Sequence, residues 1–124
     1  MNPAVLIVED DPVNMLTLDG MLSADTYDVL QATSAEEAID VLSHFKVDVI
    51  VLDNMLPGMN GVDLAKALKK YKDTRSIPVV LVTGSVGGGV VVGAMSAYVV
   101  DLLQKPVGRE RLLYALERAL EDRP

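Results

Sequence analysis

The chain has 124 residues, half of them hydrophobic, enough for one domain with a core of ordinary size, expected to span 1–124. It holds no cysteine, which excludes disulfides, thiolate metal sites and cysteine nucleophiles. Its net charge of −7 argues against a direct nucleic-acid partner, because that binding draws its affinity from Lys and Arg on phosphates.

Residues 4–8, AVLIV, form a short continuous apolar run, the pattern of a strand buried on both faces. No basic stretch precedes it, and no apolar run approaches the ~18–20 residues of a membrane span. Neither a signal peptide nor a membrane partner is therefore expected, and the expected compartment is the cytoplasm. Asp11-Pro12 reads as an N-cap followed by proline at the first helical position, opening a helix to about Ala24. YDVLQA (27–32) is a second strand. Ser34 with Glu37 makes a capping box for a second helix, with Ala35, Ala38, Ile39 and Leu42 at helical spacing. VDVIVL (47–52) is the third strand and GVDLAKALKKY (61–71) the third helix. IPVVLVT (77–83) is the fourth strand, the segment from Gly84 to Ala97 the fourth helix, VVDLL (99–103) the fifth strand and 109–120 the last helix.

This alternation predicts an α/β fold, a five-stranded parallel sheet flanked by helices. The basic residues Lys66, Lys69, Lys70, Lys72 and Arg75 read as a solvated helix end that complements the helix dipole. The single histidine, His44, falls late in the second helix, away from the strand ends, and reads as a surface residue.

Ligands of such sheets bind at the carboxyl ends of the strands. Strand one ends in Glu9 and Asp10, with Asp11 next as a helix cap. Strand three runs into Asp53, strand four ends in Thr83, and Lys105-Pro106 follows strand five. Carboxylates, a hydroxyl and an ammonium thus share one edge. Two carboxylates ~4 Å apart repel by roughly 4 kcal/mol at an effective dielectric of ~20, so the cluster needs a counter-charge. An all-oxygen set suits Mg²⁺ or Mn²⁺. Asp53 beside such an ion has the chemistry of a nucleophile toward a phosphoryl group, with Lys105 and Thr83 as contacts for its oxygens.

These residues also carry a resemblance. VLIVEDD, DNMLPGMNG, VTG and QKP, in that order and across nearly the whole chain, resemble the receiver domain of two-component response regulators, the CheY-like fold. The resemblance implies that Asp53 accepts a phosphoryl group from a sensor histidine kinase or a histidine phosphotransfer protein. It implies Mg²⁺ on Asp10, Asp53 and the main-chain carbonyl of Met55, with Glu9 acting mainly through water. Lys105 and Thr83 would bind the phosphoryl group, and the Lys105-Pro106 bond would be cis. The expected product is a signalling switch, monomeric or dimerising on phosphorylation, rather than an enzyme acting on a metabolite.

Three other readings fit less well. A haloacid dehalogenase-type phosphohydrolase wants a second acid two residues after the nucleophile, where this chain has Met55. A flavodoxin-like cofactor binder needs Gly, Ser or Thr after strand one to cradle phosphate, where this chain has Glu-Asp-Asp. A receiver-like module that no longer uses phosphate would not need the intact acid, Asp, Thr and Lys set.

The chain departs from the family pattern after Thr83. Tyr98-Val99 stands where receivers carry a Gly-Ala pair, and Leu102 where they carry an aromatic. Gly87, Gly88, Gly89 and Gly93 lie in the fourth helix at about 0.8–1 kcal/mol each against Ala, and Val90 to Val92 add a β-branched penalty. A short, late-starting or exchanging helix is expected, with a switch that uses no aromatic at 102: phosphorylation would order the segment and present Val90 to Val92 to a partner, and Tyr98 would take over part of the aromatic's role.

Overall fold

The computed structural model describes residues 2–23, 26–84 and 87–121. The order is β1 (Ala4–Val8), α1 (Pro12–Ser23), β2 (Asp28–Ala32), α2 (Ala35–His44), β3 (Val49–Asp53), α3 (Gly61–Lys69), β4 (Val79–Thr83), α4 (Gly88–Ser96), β5 (Asp101–Gln104) and α5 (Arg109–Glu121). One parallel sheet holds the strands in the order β2-β1-β3-β4-β5. No described helix is long and apolar enough to cross a membrane.

The continuous apolar runs bury both faces of the sheet, and alternation along each strand divides them. Leu6, Val8, Ile50, Leu52, Val79 and Leu81 face α2, α3 and α4. Val5, Ile7, Val49, Val51, Val80 and Val82 face α1 and α5. The Ser34 half of the predicted capping box is present, its hydroxyl accepting from the Glu37 N–H, while the Glu37 carboxylate reaches one residue past the N-cap to accept from the Thr33 N–H at 2.8 Å. Asp11 caps α1 through its carbonyl, which accepts from the Met15 N–H. Ala24, where α1 was expected to end, lies outside the described residues.

Within the expected segment Gly84–Ala97 the fourth helix is late-starting, as its glycines predict. It begins only at Gly88, no side chain caps it, and residues 85 and 86 lie outside the described set. β5 begins at Asp101, not Val99. Between them Tyr98 takes a left-handed backbone, φ 56°, which costs a residue with a Cβ about 1–2 kcal/mol. Tyr98 is 76% exposed, so it does not occupy the place of the missing aromatic. Leu102 is half-buried against the core on the α2–α3–α4 face.

One of the four glycines has a packing reason. A Cβ on Gly93 would lie 2.8 Å from Val62 Cγ1, so glycine lets α4 approach α3, whereas Gly87, Gly88 and Gly89 face open space. Gly89→Ala should therefore raise the unfolding free energy by about 0.8–1 kcal/mol. Gly93→Ala should give no such gain, because Val62 must shift. Urea denaturation of the two variants separates the cases, and equal gains would refute the close approach.

Candidate functional site

The site forms where backbone hydrogen bonds hold successive strand ends in step. The Glu9 N–H donates to Ala32 O at 3.0 Å, the Asn54 N–H to Val82 O at 3.2 Å and the Lys105 N–H to Thr83 O at 2.8 Å. Asp53 is the last residue of β3 and stands in register with Val82.

Strand parity then selects which side chains meet. Glu9 continues the series Val5, Ile7; Asp53 continues Val49, Val51; Lys105 continues Leu103. All three therefore project to the side of α1 and α5. The Lys105 ammonium lies 2.8 Å from Glu9 Oε1 and 3.4 Å from Asp53 Oδ2. Thr83 continues Val79 and Leu81 on the opposite parity, the side of α3 and α4. It is buried and does not line the hollow of about 450 Å³ that opens over the acids. The structure thus brings Glu9, Asp10, Asp53, Met55 and Lys105 to one hollow and leaves Thr83 behind it.

Glu9 is 1% exposed and Asp53 4%, whereas Asp10 is exposed. Each of the three offers a carboxylate oxygen within 4.8 Å of the others. Burial pushes the Glu9 carboxyl above the ordinary glutamate range, with the Lys105 hydrogen bond opposing and Asp53 reinforcing. Burial pushes the Lys105 ammonium down, but its hydrogen bond to Glu9 and the charges of Asp53 and Glu9 outweigh it and hold it above the usual lysine value.

The sign for stability follows. A buried acid with a raised pKa keeps its proton in the fold where the unfolded chain has lost it, so ionisation costs stability as pH rises above about 4.5 toward the folded value. Without metal, the stability of the wild type minus that of Glu9→Gln should fall as pH rises through that window, as read from urea midpoints in EDTA. A rising difference would reverse the assignment.

The turn after β3 is built by Pro57-Gly58 and Gly61, which the sequence marks as turn residues, and by Asn54, which it does not. Asn54 is buried, and its Oδ1 accepts from the Val62 N–H at 3.0 Å while its carbonyl accepts from the Gly61 N–H at 2.9 Å. Gly61 sits against the β3 backbone so closely that a Cβ there would overlap the Asp53 carbonyl oxygen and lie 2.8 Å from Asn54 Cα. Pro57-Gly58 makes the turn itself, with Gly58 at φ 78°. The Met55 N–H donates to Asp53 Oδ1 at 3.2 Å, which holds Met55 beside the carboxylate. The Lys105-Pro106 bond is cis.

The donor set fits a divalent metal. Three carboxylates face one ammonium, all the donors are oxygen, and the hollow is open to solvent on the Asp10 side. Mg²⁺ takes such ligands and keeps several waters.

The model of the response regulator receiver domain family matches residues 5–117. Response regulator PleD of Caulobacter vibrioides is 34% identical over 120 residues, 97% of this chain and 26% of PleD, so the chain spans about a quarter of that relative. Protein PilH of Pseudomonas aeruginosa is 33% identical over 116 residues, 94% of this chain and 96% of PilH. The crystal structure of the receiver domain of a sensor histidine kinase from Pseudomonas aeruginosa, with a magnesium ion coordinated in its active site cleft, matches at a TM-score of 0.90 and 25% identity, covering 98% of this chain and 100% of that one.

Proposed function

This chain belongs to the response regulator receiver domain family, and we propose that it is a phosphorylation-driven switch in which Asp53 is the phosphoacceptor. The observation that carries the reading is the position of Asp53: a buried carboxylate at a strand end, 3.4 Å from the Lys105 ammonium and within 4.8 Å of carboxylate oxygens from Glu9 and Asp10.

The donor is a phosphohistidine on a sensor histidine kinase or a histidine phosphotransfer protein. An Asp53 carboxylate oxygen forms the new O–P bond, the P–N bond breaks, and the histidine nitrogen leaves with its electron pair. Asp10, Asp53 and the Met55 carbonyl would hold Mg²⁺ (or Mn²⁺), with Glu9 contributing through water. The ion, when bound, offsets the charge of the incoming phosphoryl group. Lys105 turns from Glu9 to a phosphoryl oxygen, and Thr83 donates its hydroxyl to another. On α1, beside the hollow, Val13 and Leu16 are 69% and 75% exposed and offer the donor an apolar landing.

Thr83 starts on the α3–α4 side of the sheet. Drawing it toward the phosphoryl group therefore shifts the face made by α4 and β5, where a downstream partner or a second copy is recognised. The chain uses its own phosphotransfer, and hydrolysis of the aspartyl phosphate by water to return Asp53 and inorganic phosphate, for signalling, and turns over no metabolite.

Incubation with acetyl phosphate and Mg²⁺ should add the mass of one phosphoryl group to the intact chain, and EDTA should prevent it. No adduct under saturating donor and metal would end this reading.

A further inference from the structure

At the pole opposite the strand carboxyl ends, this acidic chain gathers the unpaired cations among its described residues. Lys105 and Arg111 each sit against a carboxylate, Arg118 against the Tyr114 hydroxyl, and the Lys69 ammonium donates to Arg75 O and Ile77 O at 3.3 Å. Lys46, Lys66, Lys70, Lys72 and Arg75 form no ion pair with a carboxylate among the described residues. All five belong to the ends of α2 and α3 or the loops that follow them.

The same pole carries an apolar groove. A hollow of about 600 Å³ lies between α2 and α3, walled by Ile39, Leu42, Ala67, Leu68 and Tyr71. It shares Leu42 and Asp73 with a second hollow of about 450 Å³ that runs under the sheet edge past Phe45 and Ile77. Ile39, Phe45 and Tyr71 are 49%, 57% and 66% exposed. Single exposed apolar residues are ordinary. Three of them, two aromatic, line two adjoining hollows, with Lys46 in the lining and Lys70, Lys72 and Arg75 next in the chain to lining residues, which is the composition of an interface centre with a charged rim.

We propose that this groove docks an acidic amphipathic helix of another protein. A groove between two neighbouring helices accepts a third by ridge packing. An apolar stripe on that helix would meet Ile39, Phe45 and Tyr71, and its flanking carboxylates would meet Lys46, Lys70, Lys72 and Arg75. Asp73 lines both hollows and Asp48 the second, where its carboxylate accepts from the Ala4 N–H at 2.8 Å; Lys46, Lys70, Lys72 and Arg75 outnumber the two acids. The surface lies away from Asp53 and does not rest on the phosphoacceptor reading.

The test uses the full chain, ¹⁵N-labelled, and a synthetic helical peptide with leucines on one face and glutamates elsewhere. Backbone amide shifts should saturate and be confined to α2 from Ile39 onward, Phe45 and Lys46, the second half of α3, and the loop to Ile77. Binding should weaken as salt rises. Lys70→Glu/Lys72→Glu should weaken it roughly tenfold or more, since each exposed charge reversed exchanges attraction for repulsion. Phe45→Ser should weaken it as well. Both variants change exposed side chains and should retain the dispersed amide spectrum of the folded chain, so the loss of binding is read on folded protein. Three results would each overturn the proposal: no saturable shifts, equal binding of a peptide with the same composition but scattered leucines, or shifts produced by phosphatidylglycerol vesicles and not by the peptide.

Discussion

Asp53→Asn should gain no mass from acetyl phosphate and Mg²⁺ under conditions where the wild type gains one phosphoryl group. The amide matches the carboxylate in size but its nitrogen and oxygen are poor nucleophiles toward phosphorus, so the fold stays and the chemistry stops. Neither neighbouring acid is placed to substitute. Glu9 is buried with one oxygen on Lys105 at 2.8 Å, and Asp10 forms no ion pair with an ammonium among the described residues. The effect on stability should run the other way. Removing one of three clustered carboxylates relieves repulsion, so the urea midpoint in EDTA should hold or rise. Intact-mass measurement decides the first point, and an adduct of undiminished size in the variant would move the phosphoacceptor elsewhere.

Gly61→Ala should be among the most disruptive single-carbon additions in the chain. The added Cβ meets main-chain atoms, the Asp53 carbonyl and Asn54 Cα, which cannot swing aside as a side chain could. Overpacking of this kind costs about 1–3 kcal/mol and occasionally more. Relief can come only by moving the end of β3 or the start of α3, and either displaces the carboxylate from Lys105. The variant should thus lose both stability, by urea denaturation, and rate of adduct formation. Gly58→Ala provides the contrast: its strain is one left-handed residue on an exposed turn, with no atom within 4 Å of the added carbon. If Gly61→Ala matched the wild type within ~0.5 kcal/mol, the contact would not be as tight as described.

The sheet was legible because it is buried on both faces. Runs such as residues 4–8 and 79–82 have no polar alternation to confuse the reading, and the caps of α1 and α2 are spelled out by Asp11-Pro12 and Ser34/Glu37. The convergence of Glu9, Asp10, Asp53 and Lys105 was legible from the rule that parallel strands share an edge. What single-residue patterns do not show is parity carried across strands. Thr83 ends its strand at the same edge as the others, yet one step of the pleat puts it on the other face. Asn54 was hidden for a related reason: a buried asparagine after a strand looks like any turn residue until its partner, the Val62 N–H, is known. The start of β5 was misplaced because Val99 and Val100 are apolar, while the left-handed backbone at Tyr98 delays the strand to Asp101.

The parity of the strand ends has a consequence for how many partners can be present at once. Glu9, Asp53 and Lys105 open on the flank of α1 and α5, while Thr83 leans toward α3 and α4 across a sheet one residue thick. If the proposed donor seats over α1, it leaves α4 uncovered, and a proposed partner resting on α4 would leave the mouth of the hollow clear. On that reading delivery and readout would use opposite flanks of the sheet and would not compete for the same surface, so the signal would pass through the sheet from one side to the other.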